Sequence, residues 1–355
     1  MKTRGSSWLL AIVVFVLAVG LACGGGTPVP PTSAPAPTKA PATNTPEPPP
    51  TSNVPFQLSA TKYVNPSGAF SLYPPEGWSV DDSDTDAFFQ PEDQKGAIYI
   101  QVTNTVVELA DDAFGSFVGA REFNFFSGYD GYEASDPEYN AAEDAYIASK
   151  TLTLNDVPQV VSTIYYQKGS AIYSIDLWAD ADVAEAYFEI YNGIVLETDP
   201  APVADMVGYN FIWTFTGPDN LYALDVPMHW SWSHSEDGGV IIDTFLSPDG
   251  NAGVQYIIYD DGTSYTKGQA GQIALALLNR SYTSGAGDIK VTKDTLESDG
   301  SETLAWTSLK SGISGFTNFE VRGTTILFLT MLSTDTFADV YNPMLNDILA
   351  SYRVP

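Results

Sequence analysis

The chain has 355 residues, 44 of them acidic against 15 basic, and a formal net charge of -29 at neutral pH. Hydrophobic residues make up 44% of it, enough for two domain-sized cores and too many for a disordered polymer. The charge excludes a nucleic-acid partner, whose phosphates reward clustered Lys and Arg, and it excludes charge-driven adhesion to an anionic bilayer. The one cysteine, Cys23, stands in the leader, so the folded part has neither an internal disulfide nor a thiolate metal cage.

Lys2 and Arg4 precede an unbroken apolar run from Trp8 to Leu21, which is shorter than the roughly 20 residues a spanning helix needs. Residues 1–22 therefore read as an export signal peptide. It ends in Val19-Gly-Leu-Ala-Cys23-Gly-Gly-Gly, which resembles a bacterial lipoprotein signal. That resemblance implies a lipid on Cys23 and an extracytoplasmic chain anchored to the cell membrane. Residues 23–55 are rich in Pro, Thr, Ala and Ser, with almost nothing apolar to bury, so an extended, solvated tether is expected. At about 3.1 Å per residue in polyproline geometry it reaches roughly 90 Å.

Beyond the tether one short pattern occurs twice, as Phe70-Ser-Leu-Tyr-Pro-Pro-Glu-Gly-Trp78 and as Tyr222-Ala-Leu-Asp-Val-Pro-Met-His-Trp230. Each copy describes a strand that enters a turn and closes on an indole, so two modules are expected, at 56–199 and 205–355. In the first, alternation at Ile98, Ile100 and Val102 predicts a strand. Phe114, Phe117 and Val118 predict a helix over 110–126, capped by Asp111 or Asp112. Strands follow over 145–154, 159–166 and 171–178, separated by Asn155-Asp156 and Lys168-Gly169. A helix from near Asp180 closes the module.

The second module repeats the order, with a helix over 267–278. It ends on a helix with apolar positions from Phe337 to Leu349, which Pro343 should kink or restart. Gly169, Ile172 and Ile194 match Gly323, Ile326 and Ile348 at one constant offset, which favours a duplication. The run Ile326-Leu-Phe-Leu-Thr-Met-Leu332 has no polar face and should be a central strand covered on both sides. Short-connected strands with helices between them give an α+β architecture: two tandem α/β/α sandwich modules, each with a mainly antiparallel sheet covered by helices.

The stretch Asn65-Pro-Ser-Gly-Ala-Phe70 through Trp78, a helix in mid-module, and the ending Ile348-Leu-Ala-Ser-Tyr-Arg-Val354 resemble the PsbP and Mog1p superfamily. The resemblance implies an α/β/α sandwich and a place among secreted lipoproteins with Pro- and Thr-rich tethers. It implies no activity, because fold does not fix function.

No nucleophile elbow is present, no cofactor motif is found, and no catalytic residue is assigned. His229 and His234 fall five apart and read as surface or turn residues. Asp82, Asp84, Asp86 and Asp93 have part of the spacing of a calcium loop, with Ala87 where the loop needs Gly. Phe123, Phe125, Phe126, Tyr129 and Tyr132 form the densest aromatic cluster and are the candidate ligand cleft. Trp78 and Trp230 are expected in two separate cores. The expected function is a non-catalytic binding or accessory protein for a partner protein or a small ligand. The alternatives are a carrier of an apolar molecule between helix and sheet, and a secreted enzyme.

Overall fold

In the computed structural model, which describes residues 57–282, 287–298 and 300–354, the first half contains β1 (Tyr63–Val64), β2 (Phe70–Leu72), β3 (Ser79–Asp82), β4 (Asp86–Gln90) and β5 (Gly96–Asn104). Helix α1 (Asp111–Phe126) follows. Next come β6 (Asp130–Ala134), β7 (Glu138–Asn140), β8 (Ala145–Leu154), β9 (Val157–Lys168) and β10 (Ala171–Asp180), then α2 (Ala184–Tyr191) and the short β11 (Glu197–Thr198). The second half has β12 (Ile212–Thr216), β13 (Ala223–Pro227), β14 (Ser231–Asp237), β15 (Val240–Leu246), β16 (Ala252–Asp260) and α3 (Lys267–Tyr282). It ends with β17 (Ile289–Leu296), β18 (Glu302–Ser308), β19 (Ile313–Arg322), β20 (Thr325–Thr334) and α4 (Ala338–Ser351).

These strands form mainly antiparallel sheets, and with the helices they make an α+β fold. The large sheet of the first half has the order β3-β4-β5-β10-β9-β8-β6, with β7 also paired to β8. That of the second half has the order β14-β15-β16-β20-β19-β18-β17. Turn chemistry fixes the registers. Asn155 and Asp156, both at positive φ, make the two-residue turn that pairs Leu154 with Val157, the geometry of a type I′ hairpin. Gly169 and Gly323, at φ 59 and 66, stand first in two-residue turns that pair Lys168 with Ala171 and Arg322 with Thr325.

Side-chain alternation then covers both faces of each sheet. In the first, Ile98, Ile100 and Val102 pack toward α2 and β2, while α1 covers the opposite face. In the second, Ile326 and Phe328 meet α3, and Leu327, Leu329 and Met331 meet α4. The run expected to be a central strand is β20, fourth of seven. Thr266 opens α3, and the Gln269 Oε1 accepts both its backbone N–H and its hydroxyl, 2.9 Å each, which satisfies donors at the helix start. Among the described residues no helix is long and apolar enough to cross a membrane.

Four local expectations differ from what is observed. The N-cap of α1 is Ala110 without a side-chain bond, and Asp111 and Asp112 lie in the first turn, where their charge favours the helix dipole. The closing helix of the first half starts at Ala184. Helix α4 contains Pro343 as an interior residue, so of the two expected outcomes it does not restart at Asn342. The turns before the two Trp residues also differ. Gly77 has φ 82, whereas His229 is outside the left-handed region; both turns nonetheless close by a Trp N–H to Pro C=O bond, of 3.3 and 3.1 Å.

That second turn removes the expected separation of cores. A single apolar cluster joins Phe114, Phe117 and Val118 of α1 to Tyr209, Trp230 and Tyr341 of the second half. Polar bonds reinforce it: the Asn124 Nδ2 donates to the carbonyls of Met228 (2.7 Å) and Trp230 (3.1 Å), and the Tyr209 N–H donates to the Asn104 carbonyl (2.7 Å). Val203, in the expected connection, is itself buried in the core of the first half.

Candidate functional site

Helix α1 buries one face, which meets the sheet in two zones. Its first three turns present Phe114, Phe117 and Val118 to apolar partners, but Arg121 and Glu122 follow on the same buried face. Both are buried, and the strands beneath answer them with Gln101, Lys150, Thr163, Tyr165 and Asp176. Burial of ionised groups is stable only when they are paired and hydrogen-bonded. The Arg121 guanidinium meets Asp176 through two bonds of 3.1 and 2.8 Å. It also donates to the Gln101 Oε1 at 3.0 and 2.5 Å and to the Tyr165 hydroxyl at 3.0 Å. The Lys150 Nζ lies 2.5 Å from Glu122 Oε2, an ion pair without hydrogen-bond alignment, and donates to Thr163 at 2.7 Å. The Thr163 hydroxyl donates in turn to Asp176 at 2.7 Å. Two cations thus face two anions.

Burial opposes the charge on Arg121, but Asp176 and Tyr165 outweigh it and hold the guanidinium above its ordinary pKa. For Lys150 burial wins over Glu122 and lowers the ammonium pKa.

The network extends outward along a chain of bonds. Because Gln101 accepts from Arg121 through its oxygen, its Nε2 is left to donate to the Tyr99 hydroxyl at 2.9 Å. The Tyr99 hydroxyl in turn donates a hydrogen bond to the Asp86 Oδ2, also 2.9 Å away. Burial, then the Asp86 charge, raise the Tyr99 pKa, so the phenol stays protonated. Tyr99 is a wall of an open cleft of about 580 Å³ at the C-terminal end of α1. Its lining includes Phe88, Tyr99, Phe125, Tyr129 and Trp178, with Asp81, Asp82 and Asp86 among the polar residues.

Two of the five aromatics expected in a cleft, Phe125 and Tyr129, line it. Phe126 is buried behind them, where Lys150 lies 3.7 Å from its ring centre. Tyr132 packs behind in the same small cluster, and Phe123 points outward, 51% exposed. The remaining walls, Phe88, Tyr99 and Trp178, come from β4, β5 and β10, which the sheet order sets side by side.

The four aspartates of the calcium spacing do not converge. The Asp82 carboxylate accepts from the Tyr63 hydroxyl (2.7 Å), Asp86 from Tyr99 and Ser83, and Asp93 from Tyr187 (2.8 Å), while Asp84 is exposed. Among the described residues no group of three or more His, Cys, Asp and Glu side chains is placed to hold a metal ion.

His229 is not at the surface. It is buried, stacked on Phe117 with ring centres 4.3 Å apart, and its Nε2 lies 3.4 Å from the Thr103 hydroxyl. Burial, then nearby Arg121, push its pKa well below the usual value, so it is neutral at pH 7. His234 is half-exposed, with Nδ1 2.9 Å from the buried Asp243, which also accepts from Tyr222 and Trp232. Cys23 lies outside the described residues.

A hollow of about 720 Å³ lies on the second half between α3 and the β17 and β18 strands, but no aromatic side chain lines it. The aromatic cleft of the first half is therefore the better candidate for recognition of a ligand.

An α+β protein of antiparallel sheets with an aromatic cleft beside a buried ionic network is thus the class that fold and site define. No family model matches the chain, and no curated protein matches it. Among solved structures it is similar to the cyanobacterial PsbP (CyanoP) of Synechocystis sp. PCC 6803, at 12% identity over 43% of this chain and 99% of that one, with a TM-score of 0.34. It is similar to a Bacteroides thetaiotaomicron protein at 12% identity over 46% and 52%, with a TM-score of 0.27. The immunity protein TplEi of the Pseudomonas aeruginosa T6SS shares 10% identity over 78% and 97%, with a TM-score of 0.22. At these scores the likenesses carry no argument about function.

Proposed function

We propose that this chain is an exported lipoprotein, held to the bacterial cell membrane by a lipid on Cys23, which binds a ligand in the first-half cleft without chemically changing it. The observation that carries the binding role is the aromatic cleft with its pre-positioned Tyr99 and Asp86. In this reading the two halves are tandem PsbP/Mog1p-like α/β/α sandwiches. Support comes from the matching strand orders of the two large sheets and from β10 and β20, whose bounds differ by the offset that relates Gly169 to Gly323.

In the cleft Asp86 accepts from Tyr99 and Ser83, and Asp82 from Tyr63, which leaves Asp81 as the acid whose side chain has no bond to another described residue and is most open to a ligand.

Anchoring is tested by replacing Cys23. Cys23→Ala should move the protein from the membrane fraction to the soluble one, and the native chain should yield an N-terminal peptide carrying the mass of a lipid. Unchanged partitioning with no lipid mass on Cys23 would contradict the anchor.

A further inference from the structure

The cleft is specific in its chemistry. Asp81 pairs with Phe88 across β3 and β4, and Phe88 pairs with Tyr99 across β4 and β5, so the acid and both rings stand on one face of the sheet. Asp86 pairs with Gln101, which places it on the same face one row along. Helix α1 supplies the facing wall, with Phe125 stacked on Tyr99 at 6.3 Å and 19°.

The other rings are turned. Phe88 meets Tyr99 at 64°, and Tyr129 meets Trp178 at 68°. Set edge to face, these pairs give the cleft no single flat platform, and the negative π face of an aromatic ring attracts a cation. No Lys or Arg lines the cleft. The cation closest beneath it, Arg121, stands 4.9 Å behind Phe125 and is committed to Asp176 and Gln101. A chain of net charge -29 adds a long-range field that draws cations in. The volume, about 580 Å³, exceeds what a bare ammonium group fills and matches a drug-sized molecule.

Resting on the reading of this cleft as a ligand site, we propose that its ligand is a small organic ammonium ion with an apolar body. The charged nitrogen sits between Asp81, Asp86 and the faces of Phe88 and Tyr99, and the apolar body lies against Phe125, Tyr129 and Trp178. Recognition is by cation–π attraction and carboxylate charge, and involves no bond making.

Titrations of the full chain, followed by calorimetry and by NMR signals of the cleft residues, test this with four probes: benzyltrimethylammonium, 2-phenylethanol, 3-phenylpropionate and cellobiose. The ammonium ion should bind about tenfold or more tightly than the neutral alcohol, the cation–π and charge contribution expected of a partly desolvated site. Asp81→Asn with Asp86→Asn keeps side-chain size and removes both charges, at the cost of one of the two bonds that Asp86 accepts from Tyr99 and Ser83. It should remove most of that preference while leaving 2-phenylethanol within about twofold, which a general loss of fold would not do. Equal binding of the cation and the alcohol at the cleft would overturn the ligand class but leave the cleft as the binding site. Tighter binding of 3-phenylpropionate or cellobiose would overturn the class in the same way. If no probe moves the Tyr99, Phe125 or Trp178 signals, the binding role of the cleft falls with it.

Discussion

Arg121→Leu is expected to lower the stability of the folded protein by about 3 to 5 kcal/mol, the cost of leaving a buried counter-charge unpaired. Arg121 and Asp176 have no exposed side-chain surface, and Asp176 would keep only the Thr163 hydroxyl. Gln101 would lose both of its donors and be free to turn, releasing Tyr99 from its orientation toward Asp86. Phe125 would also lose the guanidinium behind its ring. The lesion therefore reaches the cleft, and ligand affinity should fall with stability. Urea unfolding followed by circular dichroism measures the first effect. Combining Arg121→Leu with Asp176→Leu should recover part of the loss, because a buried pair replaced on both sides leaves no orphan charge. A loss below about 1 kcal/mol for Arg121→Leu would mean that the guanidinium is not the centre of the network.

Trp230→Ala should cost about 3 to 5 kcal/mol as well, the range for truncating a large buried aromatic. Its indole is fully buried between Tyr209 and Tyr341, and its carbonyl accepts from Asn124 of α1. The neighbouring His229 stacks on Phe117, so the same turn holds both halves. Calorimetry should show one shifted transition for the whole molecule, because the apolar cluster crosses the connection. Two transitions, of which only the second moves, would restore the picture of separate cores. Trp78 is the contrast: partly exposed and packed on Tyr187 and Tyr191, it should cost under about 2 kcal/mol on truncation to Ala.

The strands were legible wherever local patterning decides them. The apolar run of β20, the Asn155-Asp156 turn and the paired Gly169 and Gly323 each impose a conformation that neighbouring residues alone explain. The α1 helix was legible from Phe114, Phe117 and Val118. The partnership of the two halves was not, because it depends on contacts between residues more than 100 apart, among them His229 on Phe117 and the apolar cluster around Trp230.

The candidate site divides the same way. Local clustering pointed to Phe125 and Tyr129, but it also included Phe123, which helical geometry turns to solvent. The other walls, Phe88, Tyr99 and Trp178, are brought together by sheet order. The ionic network did leave a signal: Arg121 continues the stripe of Phe117 and Phe125 at intervals of four, and Asp176 interrupts a strand that is otherwise suited to burial. A charge on a core face calls for a partner, though the sequence does not say which.

The most direct test of the cleft as the binding site is an unbiased one: a library of small, soluble fragments screened against the full isotope-labelled chain by NMR. Hits should move the signals of Phe88, Tyr99, Phe125, Tyr129 and Trp178, and Trp178→Ala should abolish most of them while the thermal transition persists. Hits gathered in the hollow beside α3, or a screen that leaves those five residues unmoved, would contradict it.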